Sequence, residues 1–137
     1  MSQTFSGGCA CGAIHYEIAA DPIMAGHCQC RDCQRSSGTG HGSFLAFPEG
    51  AAKISGTAKY YDVKADSGNT ASRGFCPNCG SPVLAKTSGF PDMVAVTAAS
   101  LDDPSKFKPG FLTYTDRAHA WDLHDSSLPH FPRMPPM

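Results

Sequence analysis

Charge of one sign is what this sequence most conspicuously lacks. Eleven basic residues face twelve acidic ones for a formal net charge of −1, and neither kind gathers into a run. Phosphate-rich partners are held by basic patches, so nucleic acid is not the expected ligand. Long apolar stretches are missing too: nothing approaches the about 20 residues that cross a bilayer, and no membrane partner is expected. The first residues, Met1-Ser2-Gln3-Thr4-Phe5-Ser6-Gly7-Gly8, have neither the basic start nor the apolar centre of a secretion signal, which points to the cytoplasm. Helical periodicity is scarce. One turn is expected over Arg31–Ser36 and the start of another at Ser100-Leu101-Asp102-Asp103-Pro104.

What is plentiful is glycine (14), proline (11) and, for a cytoplasmic chain, cysteine (7). At 137 residues the chain makes one domain, with a modest apolar fraction of 41%. A core of that kind gains from staples, and in a reducing compartment thiols are read as metal ligands or reactive groups before disulfides. Ile14, Tyr16 and Ile18 alternate with Ala13, His15 and Glu17 as a half-buried strand does. Gly42–Phe47, Ala58–Val63, Pro82–Lys86, Met93–Thr97 and Phe111–Thr115 are further short strands between glycines and prolines. The expected fold is mainly β, built of small antiparallel sheets with little helix. The domain runs over 1–127, and a proline-rich tail over 128–137 lies on the surface or stays disordered.

The cysteines fall into three groups. His27-Cys28-Gln29-Cys30-Arg31-Asp32-Cys33-Gln34-Arg35 packs three thiols into six residues. Cys76-Pro77-Asn78-Cys79-Gly80 has the form of a zinc knuckle, with Gly80 at a turn that needs positive φ. Cys9 and Cys11, if extended, point to one face and can complete a four-sulfur site with Cys76 and Cys79. Spacing permits another partition, with Cys30 and Cys33 joining Cys76 and Cys79, and it permits His27 or His41 as a fourth ligand to the trio. Three protein ligands with one open position are what a reactive zinc needs.

Taken together, these residues resemble the glutathione-dependent formaldehyde-activating enzyme family, which includes centromere protein V. The similarity runs through Gly7–Tyr16, His27–Gly38, Arg73–Ser81 and Leu101–Pro104. It implies a β-tent of small antiparallel sheets and two zinc ions per chain. Cys9, Cys11, Cys76 and Cys79 then map onto a structural zinc site, and Cys28, Cys30 and Cys33 onto a catalytic one. The implied activity is that of a carbon–sulfur lyase joining glutathione to formaldehyde as S-(hydroxymethyl)glutathione, with a small thiol and a small aldehyde as partners. Members often carry a His-hydrophobic pair in the last strand, where this chain has Phe111-Leu112-Thr113.

Three thiolates on Zn²⁺ leave one negative charge, a soft centre that favours sulfur over a hard carbonyl oxygen. A thiol taken up there ionises near neutral pH and can attack an aldehyde. His41, between Gly40 and Gly42, is a candidate for proton handling or else a solvated loop residue. Arg31, Arg35 and Arg73 can serve a carboxylate, support the thiolate charge, or lie in solvent. The alternative function is a non-catalytic, zinc-stabilised binding module of the same fold.

Overall fold

The computed structural model describes residues 3–134. Its strands are β1 (Phe5–Gly8), β2 (His15–Ile18), β3 (Met24–Cys28), β4 (Gly42–Pro48), β5 (Ala52–Ser55), β6 (Lys59–Lys64), β7 (Thr70–Phe75), β8 (Pro82–Thr87), β9 (Met93–Thr97) and β10 (Leu112–Thr113). The one α-helix among the described residues, α1, covers Arg31–Ser37, and the remaining helical pieces are single 3₁₀ turns. No helix among them is long and apolar enough to cross a membrane.

The strands form two sheets. A three-stranded one runs β1-β2-β5 and a seven-stranded one runs β10-β3-β4-β9-β8-β7-β6. Every pairing is antiparallel but one: β10 lies parallel to β3, with Leu112 opposite His27 and Thr113 opposite Cys28. The alternation read in β2 holds, since Tyr16 and Ile18 are buried and His15 and Glu17 exposed. These two, with Phe5 from β1, close on Leu45, Phe47, Val94, Val96 and Leu84 from one face of the large sheet. The Phe5 and Phe47 rings meet 5.1 Å apart. Each such side chain taken from water contributes about 1.5–3 kcal/mol, and this layer is the core.

The opposite face of the large sheet carries a run of alanines between longer side chains. Cross-strand partners share a face, so Arg73, Ala85, Ala95, Ala46 and Met24 make one row over five strands. Cys28 lies two alternations along β3 from Met24, on this same face. The expected strand over Phe111–Thr115 shortens to β10, because Tyr114 turns the chain with φ 57°, the one non-glycine positive φ among the described residues. From the proline-rich tail, His130 bridges Leu112. Phe131 N–H donates to Leu112 O (2.9 Å) and Leu112 N–H to Pro129 O (2.9 Å). Pro135 and Pro136 lie outside the described residues.

Candidate metal centres

The β1–β2 connection carries the first cysteine pair. The extended segment expected there is a tight turn instead: Gly12 N–H donates to Cys9 O (3.2 Å) and Cys9 N–H to Ile14 O (3.1 Å). The turn still brings the two sulfurs to 3.7 Å. The second pair sits on the β7–β8 connection, where Gly80 N–H donates to Cys76 O (2.8 Å) and Gly80 takes the φ of 79° expected of it. A side chain would resist that conformation. Cys76 N–H donates to Ser81 O (3.0 Å), which closes the knuckle.

The two turns meet. Cys11 Sγ lies 3.7 Å from Cys76 Sγ, and the sulfurs of Cys9, Cys11, Cys76 and Cys79 all fall within 4.8 Å of one another. A tetrahedral zinc with about 2.3 Å bonds needs sulfur edges of about 3.8 Å, so the donor set fits the ion. Neutral dipoles aim at these sulfurs. Ile14 N–H reaches Cys9 Sγ (3.2 Å), Asn78 N–H reaches Cys76 Sγ (3.4 Å), and the Ser81 hydroxyl lies 3.2 Å from Cys79 Sγ. Ser81 also accepts from Ala10 N–H (3.1 Å) and so ties the two turns together. The Ser81 hydroxyl, with its own N–H and that of Cys11, lowers the Cys79 thiol to about 5. The Ile14 N–H lowers Cys9 despite burial.

The second cluster is local. Cys28 ends β3, Cys30 caps α1 and Cys33 lies in its first turn, with Cys33 N–H donating to Cys30 Sγ (3.3 Å). Their three sulfurs also fall within 4.8 Å of one another, and neither His27 nor His41 joins them. Strand alternation explains His27: it pairs with Ser43 on the face opposite Cys28, its Nδ1 2.8 Å from Ser43 Oγ. His41 is no solvated loop residue. Its Nδ1–H donates to the buried Asp122 carboxylate at 2.8 and 3.0 Å. Gly40 is required there, since a Cβ would strike Asp122. The partition that joins Cys30 and Cys33 to Cys76 and Cys79 does not form.

Of the three arginines, Arg73 comes to the sulfurs: Nη2 donates to Cys33 Sγ at 3.3 Å, and Nη1 is buried without an acceptor. The alanines sharing its face leave the guanidinium room to reach across. Arg31 instead donates to Gln34 Oε1. Charge is unevenly spread over the trio. The Cys28 and Cys33 thiols, the Cys33 N–H and Arg73 hold Cys30 well below the usual thiol range, against the effect of burial. The Cys28 and Cys30 sulfurs and burial push Cys33 well above it. Two concavities, of about 470 and 420 Å³, lie elsewhere, one around Tyr60, Ser72 and Lys86 and the other around Phe5, Met24 and Phe111.

This arrangement is matched in sequence by the family described as glutathione-dependent formaldehyde-activating enzyme, over residues 4–117. The chain belongs to that family. Among solved structures, a crystal structure of a Rhodobacter sphaeroides protein superposes with a TM-score of 0.56 at 21% identity, covering 71% of this chain and 87% of that one. At that identity the likeness speaks for the fold. No protein of curated function matches the sequence. Within this family member, several buried polar residues around α1 and the loop that follows it carried no readable sequence signal. Asp122 stands alone in a loop. Gln34, buried on α1, donates to Gln29 O (2.8 Å) and Arg117 O (3.1 Å) and accepts from His119 Nε2 (2.9 Å). Only its place in the Cys33-Gln34-Arg35 run marked it.

Proposed function

We propose that the chain is a zinc-dependent enzyme of the carbon–sulfur lyase type, adding a glutathione-like thiol to formaldehyde or another small aldehyde. Cys9, Cys11, Cys76 and Cys79 hold a structural zinc, and Cys28, Cys30 and Cys33 hold the reactive one. The observation that carries this reading is the trio itself: three clustered sulfurs without a fourth protein ligand among the described residues, in a chain of this family. When bound there, zinc supplies the positive charge that ionises a thiol near neutral pH.

In the reaction the thiol loses its proton and its sulfur attacks the carbonyl carbon. A C–S bond forms as the C=O π bond opens, and the oxygen takes up a proton, so the whole is an addition. The chain's own groups hold the sulfur cluster in shape. Cys33 N–H and Arg73 donate to the cysteine sulfurs, and Gln34 ties α1 to Gln29 O. Seven cysteines with no disulfide among the described residues suit the reducing cytoplasm.

The test is calorimetric titration of the two-zinc protein with glutathione, in buffers of different ionisation enthalpy, followed by formaldehyde turnover. Binding with release of about one proton per thiol is expected. Binding without turnover retains the thiol site and rejects the aldehyde. A fully metallated protein that binds no thiol favours the second reading, a zinc-stabilised binding module.

A further inference from the structure

The two clusters neutralise their charge by different means. Around the four-sulfur cluster the donors are uncharged: the N–H groups of Ile14 and Asn78 and the hydroxyl of Ser81. Four thiolates with a divalent ion carry two negative charges, and exposed Cys11 and Cys79 share them with solvent. The three-sulfur cluster is half-buried throughout, and a full cation, Arg73, donates to it. With three thiolates the surplus is one negative charge, and Arg73, on which the Asp32 carboxylate also acts, is the cation that offsets it. An anionic fourth ligand would restore the surplus, so the guanidinium is worth most at the moment such a ligand arrives.

The second observation concerns the other half of the fork. Arg73 Nη1 is buried and has no acceptor among the described residues, although Nη2 on the same guanidinium is used. An orphaned buried donor on a charged group is costly, and guanidinium is built to hold two acceptors side by side. Protein groups supply one of them, Cys33 Sγ.

We infer that Arg73 is a ligand-selecting residue of the three-sulfur site, its Nη2 on Cys33 and its Nη1 taking the sulfur of an incoming thiolate. It favours an anionic sulfur over a neutral ligand at the same position. The assignment rests on the thiol-site reading above and adds the group that makes a fourth negative sulfur acceptable.

The experiment titrates the two-zinc protein, Arg73→Gln and Arg73→Lys with three probes: mercaptoethanol, glutathione and imidazole. Mercaptoethanol has no carboxylate, so its sulfur is the only anionic group that can meet Arg73, and imidazole adds no charge. Removing one partner of a buried charged pair should weaken mercaptoethanol and glutathione alike by about 30-fold in Arg73→Gln. Imidazole binding should stay unchanged, with Arg73→Lys intermediate for the thiols because it keeps the charge and loses the fork. A parallel fall for thiols and imidazole overturns the inference, leaving Arg73 a structural role. So does an unchanged affinity for mercaptoethanol, and if glutathione alone weakens, Arg73 recognises a carboxylate instead. In both of these cases the thiol-site reading survives. Unsubstituted two-zinc protein that binds imidazole but no thiol overturns that reading and the inference together. Should Arg73→Gln fail to fold, Arg73→Lys carries the same comparison.

Discussion

Tyr16 shows how one buried side chain makes the fold sensitive to pH. Its hydroxyl lies 2.7 Å from Ser100 Oγ, beneath a core that excludes water. Burial, with a smaller push from Asp102 and against the Ser100 hydrogen bond, raises its ionisation to about 12. The unfolded phenol ionises near 10, so between these values the folded state holds a proton that the unfolded state has lost. Tyr16 therefore contributes its full share below about pH 10 and loses it as pH climbs toward 12. Alkaline unfolding followed by circular dichroism should be shallower for Tyr16→Phe than for the unsubstituted protein over that interval. Equal slopes would refute the assignment. Tyr16 also explains Gly7, where a Cβ would collide with the Tyr16 hydroxyl and Ser100 O.

At the scale of elements, α1 and its cap separate two roles that one cysteine plays. Cys30 is the N-cap, accepting from Cys33 N–H, and also a member of the trio. Serine caps a helix well and binds zinc poorly. Cys30→Ser should keep the secondary structure, lose the second equivalent of zinc and lose any thiol binding. Cys30→Ala should in addition lose about 1 kcal/mol from the cap, read as a lower denaturant midpoint. Cys76→Ser, in the knuckle and within the core, should fail to give soluble protein. If Cys30→Ser unfolds as badly, the division of the sites is wrong. The short helix was legible from its run of residues, as were β2, β4, β6, β8 and β9 from alternation and flanking breakers. Four strands were not: β1, β3, β5 and β7. In Phe5-Ser6-Gly7-Gly8 and Met24-Ala25-Gly26-His27-Cys28 the glycines stand where something lies against the backbone. A Cβ on Gly26 would stand 2.8 Å from the Phe111 ring. Close approach demands glycine, and glycine erases the apolar pattern by which a strand is recognised. The parallel pairing of β10 was equally hidden, since two residues carry it.

For the whole molecule, the two cysteine clusters join different amounts of structure. The four-sulfur cluster joins the β1–β2 turn to the β7–β8 turn and so fastens the small sheet to the large one. The trio fastens only α1 to the end of β3. Mild chelation should therefore remove one equivalent of zinc first and leave the far-ultraviolet dichroism intact, with loss of the second equivalent accompanying unfolding. Simultaneous loss of both would contradict this division. The knuckle was the most readable part of the site, because its spacing and glycine follow from the ion's geometry. Arg73 and Asp122 were the least, since they arrive from distant strands and loops that only the folded chain brings near. The same difference in span sets an order in time. Cys28, Cys30 and Cys33 leave the ribosome together, whereas Cys11 must wait for Cys76, 65 positions later. Closing that longer loop costs about 2 kcal/mol more in chain entropy. On the two-zinc proposal, a newly made chain is expected to meet its first ion at the trio, the site predicted to hold it less firmly. Refolding with a single equivalent of cobalt should first show the spectrum of three-sulfur coordination, then that of four sulfurs as the ion moves.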